Sequence, residues 1–118
     1  MKHIDYSDYS ELEFNLLKQF AERLGVRVEL KDKAEWNKKY KDMDGLLFGD
    51  GKGNFREIDI LRKAKTSDTV KILSHELAHM YLHPDRNTVN DVEADQQADA
   101  AGQMLLEFAR FMIINKEF

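Results

Sequence analysis

The chain has 118 residues, with no cysteine, one proline and no unbroken apolar run longer than the four residues from Phe111 to Ile114. Without cysteine there is no disulfide framework and no thiolate metal site, so any bound metal must be held by histidine and carboxylate. The same lack fits a reducing compartment, and a cytoplasmic location is expected. Four apolar residues fall far short of the roughly 20 that span a bilayer. The opening Met1-Lys2-His3-Ile4-Asp5-Tyr6 carries acid where a signal peptide needs an apolar stretch. Neither a membrane nor secretion by that route is expected. Basic charge is not in excess either: 18 Lys and Arg face 22 Asp and Glu, and the net −4 is shared evenly by the two halves. No direct nucleic-acid partner is expected from such a balance. The most basic stretch, Lys31, Lys33, Lys38, Lys39 and Lys41, is interleaved with Asp32, Glu35 and Asp42 and reads as a solvated face.

What the chain does have is 42% hydrophobic and 34% charged residues, enough for one core. One domain over residues 1–118 is expected. Leu12, Leu16, Leu17, Phe20 and Leu24 recur at helical spacing between Ser10 and Leu24, and Gly25 closes the run. Val26, Val28 and Leu30 alternate with Arg27 and Glu29, the period of a half-buried strand. Ala34 to Lys41 is short and charged; Trp36 and Tyr40, four apart, suggest a turn of helix. Four of the six glycines lie from Gly45 to Gly53, between Leu46-Leu47-Phe48 and the alternating Phe55, Ile58 and Ile60. This predicts a β-hairpin. A phosphate loop is excluded because no Lys-Ser or Lys-Thr follows, and a calcium loop because Lys52 and Leu61 occupy liganding positions.

From Ser67 or Asp68 to His83 nothing interrupts a helix, Val70, Leu73, Leu77 and Met80 form one face, and Pro84 ends it. A polar loop from Asp85 to Asn90 leads to a last helix from Asp91, with Ala94, Ala98, Ala101, Leu105, Phe108 and Met112 as its stripe. Its small early residues allow another helix to come close.

The middle helix contains His75-Glu76-Leu77-Ala78-His79, an H-E-x-x-H pattern. Residues four apart on a helix lie about 6 Å apart on one face, so both imidazoles can reach one Zn²⁺ while Glu76 borders that face as a proton acceptor. The two histidines point away from the Leu73 and Leu77 stripe, towards a cleft. His83 continues the spacing, but at a helix end, where a terminal hydrogen bond or cation is common. A third protein ligand must come from elsewhere, and Asp91, Glu93, Asp95 and Asp99 on the next helix are the richest source, with no Lys or Arg between Asn87 and Phe108.

Residues 68–106 resemble the ImmA/IrrE family of small cytosolic zinc metallopeptidases, found with mobile elements and stress regulators. The resemblance rests on His75-Glu76-Leu77-Ala78-His79-Met80-Tyr81-Leu82-His83-Pro84, followed by a helix that matches the family form E-x-x-A-N/D-x-x-A with Asp in place of Glu. It implies an α+β, minimal zincin-like domain: an N-terminal helix, a small sheet with a hairpin, the H-E-x-x-H helix and a ligand helix. It implies His75 and His79 as ligands and Glu76 as general base. Two registers fit the second helix. Asp95-Gln96-Gln97-Ala98-Asp99 with Gly102, Leu105 and Leu106 makes Asp95 the third ligand; Asp91-Val92-Glu93-Ala94-Asp95 with Ala98 makes it Asp91. Asp95 is favoured, Asp91 follows and Glu93 is third.

The expected function is therefore zinc-dependent endopeptidase action on a regulatory protein such as a transcriptional repressor. The alternatives are a non-catalytic module that keeps the fold and sequesters a regulator, motivated by the shorter Asp, and an anti-restriction protein. An oxyanion stabiliser is sought among Tyr40, Tyr81 and His83.

Overall fold

The computed structural model describes residues 6–84 and 91–115. Helix α1 (Tyr6–Arg23) leads through Gly25, at φ +81°, into strand β1 (Arg27–Lys31). Two short 3-10 turns, Lys33–Glu35 and Lys38–Tyr40, replace the single helical turn expected there, and the Trp36 indole donates to the Tyr40 carbonyl at 2.9 Å. The hairpin forms as expected from β2 (Gly45–Gly49) and β3 (Phe55–Leu61). Its turn is organised by Asp50, whose carboxylate accepts from the Lys52 and Asn54 backbone and from the Asn54 amide, which holds its pKa below the usual range. Gly51 and Gly53 take the positive φ that the turn requires.

β3 is the central strand: it pairs antiparallel with β2 and parallel with β1. Helix α2 (Thr66–Leu82) packs on β2 and β3 and against both α1 and helix α3 (Asp91–Asn115). The fold is thus α+β, with three helices and a small mixed sheet among the described residues. No helix among them is long and apolar enough to cross a membrane. The core joins Val28, Ile58 and Ile60 of the sheet to Val70, Leu73 and Leu77 of α2 and to Leu17 and Leu106 of the outer helices. Burying each of these aliphatic side chains contributes about 1.5–3 kcal/mol.

On both flanking helices the expected stripe is buried only in part: Leu17, Ala94 and Ala98 are in the core and Leu16 and Leu105 pack against it, but the rest is displaced. On α1 the buried line is Ser10, Glu13, Leu17 and Ala21, while Leu12, Phe20 and Leu24 are exposed. Glu13 is buried because the Arg110 guanidinium of α3 donates to it at 3.1 Å. On α3 the buried line is Ala94, Ala98, Gly102, Leu106, Ala109 and Ile113, and Phe108 faces solvent with Met104 and Phe111. The expected loop from Asp85 to Asn90 lies outside the described residues.

Candidate metal centre

α2 runs unbroken through His75, Glu76 and His79 because no glycine or proline interrupts it before Pro84. Its 3.6-residue period puts the two imidazoles on one face, with their Nε2 atoms 2.9 Å apart. Asp95 on α3 enters the same space: its Oδ1 lies 3.0 Å from His79 Nε2 and 3.5 Å from His75 Nε2. A tetrahedral zinc with bonds of about 2.0–2.1 Å separates its ligand atoms by about 3.3 Å, so this triangle is near the size one ion needs. These three side chains are the one group of histidines and acids among the described residues gathered tightly enough to hold a metal.

The orientation of His75 is set from behind. Its Nδ1 donates to Asp99 Oδ1 at 2.7 Å, which leaves the lone pair on Nε2, the atom facing Asp95. Asp99 sits one helical turn after Asp95, so both carboxylates are presented by the same face of α3.

The short aspartate arm reaches because the two helices nearly touch. A Cβ at Gly102 would lie 3.2 Å from the backbone N of His75 and from the C and O of Ser74, and Ser74, Ala78, Ala94 and Ala98 are buried alongside. Small residues bring the α3 backbone in, so the short side chain of Asp95 reaches the two imidazoles.

The remaining walls come from β2, the segment just before it and the middle of α2. Met43, Leu47 and Ile72 line a cleft of about 460 Å³ together with Lys71 and the metal-site residues. Glu76 is 7% exposed at its edge, pressed against Gly45 of β2. β2 is an edge strand, and its Gly45, Leu46 and Leu47 line the cleft.

No protein-family model, curated protein or solved structure matches this chain.

Of the residues singled out from sequence, His75, Glu76, His79, Asp95 and Asp99 meet in this cleft. Asp91 is the first residue of α3, and its side chain lies outside those described. Glu93 is exposed and does not line the cleft. None of Tyr40, Tyr81 and His83 lines it either. Tyr81 stacks on Phe20 with ring centroids 6.1 Å apart, and His83 is buried behind His79. Asp99 was visible in the sequence only as one of four acids. Gln97, which accepts from His83 Nε2 at 2.7 Å, carried no sequence signal at all.

Proposed function

We propose that the protein is a zinc-dependent metallo-endopeptidase of a minimal zincin-like type, acting on a protein substrate in the cytoplasm. The observation that carries this reading is the convergence of His75 Nε2, His79 Nε2 and Asp95 Oδ1, with Glu76 on the same helix at the cleft edge. Two imidazoles and one carboxylate are a borderline donor set of the kind zinc takes in catalytic sites, where three protein ligands leave one position open. Zinc held there supplies Lewis acidity to water and to a peptide carbonyl.

The chain's own groups have distinct tasks. His75, His79 and Asp95 hold the ion, and Asp99 keeps His75 turned towards it. Glu76 accepts a proton from the water that attacks the peptide carbonyl and returns it to the amine nitrogen as the carbon–nitrogen bond breaks. The open edge of β2 offers main-chain donors and acceptors to an extended peptide, and Met43, Leu47 and Ile72 offer apolar contact. The resemblance to the ImmA/IrrE family extends this to a regulatory protein such as a transcriptional repressor.

The test is metal content and peptide cleavage in the wild type, Glu76→Gln, His79→Ala and Asp95→Ala. About one zinc per chain, lost in His79→Ala and Asp95→Ala, with Glu76→Gln keeping zinc and losing cleavage, supports the reading. No zinc after supplementation sinks it. Zinc with a biological effect that survives Glu76→Gln replaces it with the regulator-sequestering module.

A further inference from the structure

We propose that His83 and Gln97 are positioning residues for the metal centre, forming a two-step hydrogen-bond relay that presents His79 Nε2 to the ion. His83 is 2% exposed, the last residue before Pro84, and its ring packs behind His79. His83 Nδ1 lies 3.1 Å from His79 Nδ1, and His83 Nε2 lies 2.7 Å from Gln97 Oε1. The direction of the relay follows from its far end. The Gln97 carbonyl can only accept, so His83 carries its hydrogen on Nε2 and offers a lone pair at Nδ1. His79 then donates its Nδ1–H to that lone pair, and the nitrogen that carries the lone pair for an ion is Nε2, the one facing Asp95 and His75.

A buried histidine at a helix end has a blander role open to it, satisfying the last carbonyls. The geometry argues against that role for this ring. The final-turn bond is made by the His83 backbone, which donates to the His79 carbonyl at 2.8 Å, and both ring nitrogens are used sideways, towards His79 and α3. The two ligating histidines are thereby supported differently. His75 leans on the charged Asp99, whereas His79 leans on a neutral chain that ends in an amide. A charged acceptor makes its imidazole the stronger donor to a metal, so the relay makes His79 the weaker and more adjustable of the pair. Gln97 and Asp95 lie two residues apart on α3, so one short segment both supplies a ligand and sets the orientation of another.

The proposal rests on the metal-site reading above. Its test is zinc affinity by chelator competition, with the His79 Nδ1 proton followed by NMR in the zinc-loaded protein. Gln97 is exposed, so Gln97→Leu leaves the core alone. It is expected to weaken zinc about threefold and to move the proton upfield. His83→Phe, which removes the relay, is expected to weaken zinc about tenfold or more. Gln97→Glu should bind zinc more tightly than Gln96→Glu, which adds the same charge one residue away. Unchanged affinity and an unmoved proton in Gln97→Leu overturn the relay, as does equal affinity in the two glutamate variants. A wild type that takes up no zinc overturns the metal-site reading itself, and the relay with it.

Discussion

Gly45 on β2 and Glu76 on α2 are packed so closely that position 45 has no room for a side chain: a Cβ there would lie 3.0 Å from Glu76 Oε1 and Cγ and 2.8 Å from Ile72 Cγ2. The strand that walls the cleft therefore also fixes where the carboxylate of Glu76 rests. Gly45→Ala is expected to leave zinc content unchanged and to lower kcat about tenfold or more, because small displacements of a reacting group are costly. Full activity in that variant, measured on the same peptide, would show that the contact with Gly45 does not set the position of Glu76.

Gly102 sets the gap across which Asp95 works. Its neighbours are backbone atoms at 3.2 Å, which give less readily than a side-chain tip. Gly102→Ala is expected to push α3 outward by a few tenths of an ångström and to weaken zinc about tenfold. Asp95→Glu adds a methylene to the arm. Alone it should overshoot and weaken binding, and combined with Gly102→Ala it should recover part of the loss. A double-mutant cycle on zinc affinity reads this coupling, and strict additivity would contradict it.

Glu13 and Arg110 form a pair in which the carboxylate is buried and the guanidinium half exposed. Removing the cation strands a buried charge, and Arg110→Ala is expected to destabilise the fold by about 3 kcal/mol. The double variant Glu13→Gln with Arg110→Met should lose much less, because no charge is left behind. Urea unfolding of the three proteins tests this, and equal losses would show that the burial of Glu13 does not depend on its partner.

Asp59 on the central strand is held above the usual carboxylate range, first by burial and then by its hydrogen bond with Glu57, even with Lys31 at 3.0 Å from it. A raised acid binds more protons in the folded than in the unfolded chain. Its unfavourable contribution therefore grows as pH rises from about 4 through the raised value and is complete above it. The upward shift persists with Lys31 beside it, so burial outweighs that cation in setting the direction for Asp59. Asp59→Asn is expected to stabilise the fold at pH 7 and to have no effect near pH 3. Glu57 has the opposite sign: its pKa is lowered, first by the bond with Asp59 and then by Arg27, so its contribution is lost as pH falls. Stability measured against pH in both proteins checks the assignment. An Asn variant less stable at pH 7 would refute it.

The local features of this fold were legible because they depend on neighbours in the chain. The histidine pair needs only a helical period, the hairpin only its glycines and Asp50, and the close helix approach only small residues early in α3, of which Ala94 and Ala98 are buried as expected while Gly102 takes the place expected of Ala101. The long-range features were not. Leu12 and Phe20 look like core in a helical wheel, but the face of α1 that is buried is the one that packs on α2, α3 and β1, where Arg110, 97 residues away, partners the buried Glu13. Phe108 looks like core because α3 is apolar on more than one face, and which face is buried is decided by α2. Asp95 was preferred over Asp91 from the register of the glycine and leucines beyond it. Gln97 escaped notice because glutamine on a helix surface is ordinary until a buried ring reaches it.

The residues around the candidate centre are drawn from two consecutive helices, with His79 and Asp95 separated by 16 positions and His75 and Asp99 by 24. An ion bound there acts as a staple across a short loop, comparable in chain entropy to a disulfide worth about 3 kcal/mol. Only α2 and α3 need to meet for that staple to close, whereas the wall beside Glu76 is brought by β2 from far earlier in the chain. The ion would therefore fasten the two helices to each other directly, while the wall beside Glu76 would depend on the separate docking of the β2–β3 hairpin against α2.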